Sequence, residues 1–146
     1  MDWVIAPLKN YAVFSGRARR LEFWAFLAFV TIVQAGVGYL ERLYNSAEPI
    51  ALGMGTAELC VTLILLVPSV AVGVRRLHDS GRNGLWMLVG YGPFALANLP
   101  IAEDGSLDIV LSGAILMGVG VLLIMMLLPG TSGQNQYGAN PRKRGT

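Results

Sequence analysis

The chain has 146 residues, 54% of them hydrophobic and only 14% charged, with a formal net charge of +2. A soluble domain carries about 25% charged residues, so this composition excludes an ordinary soluble globular fold and places the chain among membrane proteins. One cysteine excludes an intramolecular disulfide framework and any multi-cysteine metal site.

In chain order, the first segment is "MDWVIAPLKNYAVF". Trp3, Val4, Leu8, Tyr11 and Phe14 share a face at helical spacing, and a segment of this kind lies in the membrane interface with its aromatics at headgroup level. A break at Pro7 would still leave two interfacial pieces. The run from Phe23 to Leu40 carries no charge over 18 residues, close to the roughly 20 needed to cross the hydrocarbon core. "VQA" at Val33 to Ala35 has the small-residue form of a signal-peptide cleavage site. The apolar run continues through it to Leu40, so the expectation is an uncleaved first span.

A second run, 57–74, contains Cys60, which reads as a small buried hydrophobe. A third run, 85–101, is broken by Gly90, Gly92, Pro93 and Pro100. A fourth, 109–128, is 20 residues without charge. Pro68 and Pro93 each remove a backbone donor from their helix and should kink it. The Ser69/Gly73 and Ala114/Gly118 spacings favour close helix contacts. "LPGTSGQNQYGANPRKRG" reads as a turn-rich tail over 130–146. The expected architecture is all-α: a single polytopic membrane domain, a four-transmembrane-helix bundle over 1–146 with an N-terminal interfacial segment.

Orientation follows from Lys and Arg. Lys9, Arg17, Arg19, Arg20, Arg75, Arg76, Arg82, Arg142, Lys143 and Arg144 all fall on one side of the four spans, and only Arg42 falls on the other. Cytoplasmic segments carry the positive excess, so both termini and the stretch Arg75–Gly84 are expected inside. Inside the spans Gln34, Asn98 and a few hydroxyls are the polar exceptions. Proton relays and ion pathways need intramembrane ionisable groups, so their scarcity counts against a proton-coupled transporter.

Three segments on the cytoplasmic side are specific: "FSGRARRLEFW" leads into the first span, "RRLHDSGRNGLW" joins the second and third, and "GQNQYGANP" follows the fourth. In this order, around four spans, they resemble a bacterial membrane family catalogued as domain of unknown function 805. The resemblance covers nearly the whole chain. It implies a bacterial inner-membrane location and a small helical fold, and brings no activity with it. Where that family commonly shows two aromatics after the central segment, this chain has Leu85 followed by Trp86.

The candidate site gathers Arg17, Arg20, Glu22, Trp24, Arg75, Arg76, His78, Asp79, Arg82, Asn135 and Tyr137. Arg17, Arg20 and Trp24 at i, i+3, i+7 would share one helix face. Orientation alone requires net Lys and Arg, and gives no reason for the acidic Glu22 and Asp79 among them. Guanidinium groups bind phosphate or carboxylate in a forked geometry unavailable to lysine. The expected function is a non-catalytic module whose cluster binds an anionic lipid headgroup, a ligand or an acidic partner. An internal clasp closing the bundle would use the same residues. Two other classes compete: a membrane enzyme acting on a phosphate-bearing lipid, and a transporter or channel component. His78 and Asp79 are neighbours that diverge by about 100° on a helix and form no ready dyad, and no metal-ligand or phosphate-cradling motif appears. The reading leans away from an enzyme, with no cofactor. The expected partners are the bilayer, anionic lipid headgroups, and a second copy or another membrane protein. The basic residues are accounted for by topology, so nucleic acid is not expected.

Overall fold

The computed structural model describes residues 2–44, 54–97 and 106–141. These form five α-helices: α1 (Asp2–Lys9), α2 (Arg20–Tyr44), α3 (Thr56–Asp79), α4 (Met87–Ala97) and α5 (Ser106–Leu127), with a 3-10 turn at Gly84–Trp86. No strand forms among the described residues; Asn135 and Gly138 make an isolated bridge. Three helical stretches are long and apolar enough to cross a membrane: Arg20–Tyr44, Thr56–Asp79 and Ile109–Leu127.

The expected third span is the exception. Its described part is the 3-10 turn and the 11 residues of α4, about 17 Å of helix at 1.5 Å per residue. Its remaining residues, 98–101, with Asn98 and Pro100, lie outside the described residues, as do 45–53, 102–105, and Arg142, Lys143 and Arg144.

Two boundaries differ from expectation. Helix α3 does not end near Val74 but runs to Asp79, so half of the expected loop Arg75–Gly84 is helix. It ends where Gly81 takes φ +76. The N–H of Arg82 then bonds the Leu77 carbonyl and that of Gly81 bonds the His78 carbonyl, the paired closure of a Schellman cap. At the other end of the chain, α2 begins at Arg20, so Arg17 lies before the helix and does not share a face with Arg20 and Trp24. Helix α1 keeps Pro7 inside it and stops at Lys9, leaving Tyr11 and Phe14 beyond its end.

The contacts group into two compact units, Met1–Val13 with Leu21–Val72, and Phe14–Arg20 with Gly73–Thr146. In the first, Phe26, Val30 and Leu65 are buried, and the Glu41 carboxylate accepts from the Ala57 and Glu58 N–H groups at 3.0 Å, capping the start of α3. Gln34 donates to the Thr62 hydroxyl at 3.2 Å. In the second, Ala18, Leu77, Met87, Leu122 and Met126 are buried. Here α4 lies against α5 through glycine: a Cβ on Gly118 would collide with the Val89 carbonyl, and one on Gly90 with Leu122. Large apolar side chains cover the exterior, with Ile32 72%, Ile109 80% and Leu116 76% exposed, an outside suited to hydrocarbon. Cys60 is exposed rather than buried, which is natural for an apolar residue on a helix face turned outward.

Candidate functional site

The C-terminal turns of α3 carry the polar cluster, and its centre is Asp79. One carboxylate oxygen, Oδ1, accepts from Nε of Arg17 at 2.9 Å and lies 2.9 Å from Nη2. The other, Oδ2, accepts from Nη1 of Arg76 at 2.7 Å, an i, i+3 pair along α3. The three side chains are 1%, 6% and 0% exposed for Arg17, Asp79 and Arg76. A carboxylate at a helix C-terminus faces the negative end of the dipole; the two guanidinium groups offset that.

The rest of each guanidinium is spent on backbone carbonyls. Arg17 donates from Nη1 to Gly133 at 2.6 Å and Gly138 at 3.3 Å, and from Nη2 to Thr131 at 2.7 Å. With its Asp79 contacts, this matches the five N–H groups of a guanidinium to five acceptor contacts. Arg76 donates from Nε to the Met126 carbonyl at 3.1 Å and from Nη2 to that of Leu128. Arg20 donates to Leu127 at 3.1 Å. The final carbonyls of α5, which no helical N–H can reach, are therefore capped by arginines, whose charge also suits that end of the helix.

The tail after α5 docks on the carbonyls at the end of α3. Thr131 donates its N–H to the Asp79 carbonyl at 2.8 Å, and Asn135 donates from Nδ2 to the His78 carbonyl at 2.8 Å. Asn135 and Gly138 exchange backbone bonds of 3.1 and 3.0 Å across a turn in which Gly138 has φ +130. Tyr137, inside that turn, stacks on His78 with ring centroids 3.8 Å apart and planes 2° from parallel. The Nδ1 of His78 lies 3.3 Å from the Gly16 carbonyl, so Nδ1 carries the proton in that contact. Gly130 passes so close to Asp79 that a Cβ there would overlap the carboxylate.

Of the candidate residues, Arg17, Arg76, His78, Asp79, Asn135 and Tyr137 are brought together in the second unit. Arg20 joins them at the end of α5. Arg75 is buried, and its carbonyl accepts from the Ala18 N–H at 3.0 Å. Arg82 contributes its backbone to the α3 cap, while its side chain is not among those paired with Asp79. Glu22 and Trp24 belong to the first unit, where the Trp24 ring meets Phe23 edge-on at 5.3 Å. The residues missed by sequence reasoning are those acting through the backbone: Gly16, Met126, Leu127, Leu128, Thr131, Gly133 and Gly138. Arg19, which donates to Pro141, was also left out.

The Asp79 and His78 side chains are both engaged within the cluster. Both oxygens of Asp79 are held by arginine, and the His78 ring is stacked with Nδ1 turned to a carbonyl. Among the described residues no three His, Cys, Asp or Glu side chains gather to hold a metal ion.

All but the last residues of these segments lie within the stretch matched by a family model. Residues 11–139 match the model described as protein of unknown function (DUF805). The chain belongs to this family. Among its relatives in Escherichia coli K12, the inner membrane protein YhaI is 32% identical over 142 residues, covering 97% of each chain. The inner membrane protein YhaH is 30% identical over 142 residues, covering 97% of this chain and 98% of the relative. The uncharacterized protein YiiR is 33% identical over 135 residues, covering 86% of this chain and 83% of the relative. No solved structure matches the chain. Arg17, Arg76 and Asp79 all lie within the matched residues.

Proposed function

We propose that the chain is a four-span inner-membrane module with both termini and the end of α3 on the cytoplasmic side, and that its polar cluster is a clasp. The observation that carries this reading is the single Asp79 carboxylate shared by two buried arginines whose other donors cap carbonyls of α5 and the tail. Such a clasp fastens the segment before α2, the end of α3, the end of α5 and the tail into one platform. The positive-inside bias supports the topology.

A second reading keeps the cluster as a binding site for an anionic lipid headgroup or an acidic partner. It is favoured by Arg82, whose side chain is outside the Asp79 pairs, and by the flat His78–Tyr137 stack beside them. The two readings separate in Arg17→Lys and Arg76→Lys, which keep the charge and lose the fork. A clasp loses thermal stability in detergent with no ligand added. A headgroup site keeps that stability and loses the stabilisation conferred by added phosphatidylglycerol.

A further inference from the structure

We propose that the N-terminal segment around Tyr11 is seated in the hydrocarbon of the bilayer beside the middle of α3, with lipid acyl chains as its partner, rather than at headgroup level. Pro68 lies inside α3 and has no N–H, so the Ile64 carbonyl four residues earlier has lost its helical donor. The Tyr11 hydroxyl donates to that carbonyl.

The depth follows from where Ile64 stands. It is about 12 Å along the helix from Thr56 and about 22 Å from Asp79 at 1.5 Å per residue. The hydrocarbon core is about 30 Å thick, so if α3 crosses it centrally, Ile64 is near mid-depth; the inference rests on that reading of α3 as a span. In hydrocarbon no water can satisfy an orphaned carbonyl, which gives a tyrosine hydroxyl a reason to be there. The segment is built for the same surroundings. Trp3, Ile5, Leu8, Tyr11 and Val13 are exposed apolar or aromatic side chains. Asn10 bonds locally: its Nδ2 donates to the Ala6 carbonyl at 2.9 Å, and its backbone carbonyl accepts from the Val13 N–H at 3.1 Å. Lys9 can extend its alkyl stem along apolar surface toward the headgroups.

Two measurements test this. Nitroxide labels are placed singly at Val13 and at Leu63 on α3, both exposed, in Cys60→Ser protein in phosphatidylcholine–phosphatidylglycerol vesicles. Their depth is read from collisions with oxygen and with a water-soluble nickel chelate. The expected result is that both labels report hydrocarbon. A Val13 label at headgroup depth with a deep Leu63 label overturns the inference and leaves the span intact. A Leu63 label in water overturns the span itself and the inference with it. The second measurement is a double-mutant cycle on thermal stability. Tyr11→Phe is expected to lower the melting temperature when Pro68 is present, and to have little effect on top of Pro68→Ala, which restores a donor to the Ile64 carbonyl. Equal losses in the two backgrounds would show that the hydroxyl does not serve this carbonyl.

Discussion

Asp79 is where two buried cations become tolerable. Arg17 and Arg76 are 1% and 0% exposed, and removing the partner of a buried charge leaves it uncompensated at a cost of about 3–5 kcal/mol. Asp79→Asn preserves the shape and turns an acceptor into a donor facing arginine. It is expected to lose stability on that scale, measured by thermal unfolding in detergent. Arg82→Ala, whose side chain takes no part in the Asp79 pairs, is expected to stay within about 0.5 kcal/mol of the parent. Equal losses in the two variants would refute a cluster centred on Asp79. The acidic residue was legible in the sequence as something orientation does not need. Its pairing with Arg76 was not, because that i, i+3 contact requires α3 to continue to Asp79.

At the scale of elements, the two prolines inside α3 and α4 present one physical problem and two solutions. Pro68 orphans the Ile64 carbonyl, which a tyrosine hydroxyl meets. Pro93 orphans the Val89 carbonyl, and there α5 brings Gly118 so close that its Cα hydrogen, standing where a Cβ would be, points at the oxygen. Gly118 of the Ala114/Gly118 spacing makes a close approach, while its partner carbonyl was hidden because nothing local says which helix faces Pro93. Gly118→Ala should push α5 off α4 and cost about 1–3 kcal/mol, as overpacking does. Gly120→Ala, two residues on, meets nothing within 4 Å and should be neutral or stabilising by up to about 1 kcal/mol through helix propensity. Unfolding of the two variants side by side checks the pair, and a harmless Gly118→Ala would remove the close approach.

For the whole molecule, the helical class and three of the expected spans were legible because long uncharged runs have few other uses. The boundaries were not, because charge marks where a membrane ends, whereas a helix ends at its cap: Gly81 stops α3 six residues past Arg75. The tail read as turns, and its described part, residues 130–141, is turns and bends; that its carbonyls serve as ligands for Arg17 could not be seen, since backbone acceptors leave no trace in side-chain chemistry. The proposed topology rests on charge: ten Lys and Arg lie on one side of the expected spans, one on the other. Single cysteines at Ser80, directly after α3, and at Ser106, the first residue of α5, in a Cys60→Ser background, probe the two sides. In intact cells stripped of their outer membrane, an impermeant maleimide should label position 106 and spare position 80 until the cells are lysed. Labelling of position 80 before lysis would reverse the orientation and put the Asp79 clasp outside the cell. Labelling of both before lysis would mean that α4 and the residues after it do not complete a crossing, leaving three spans in place of four.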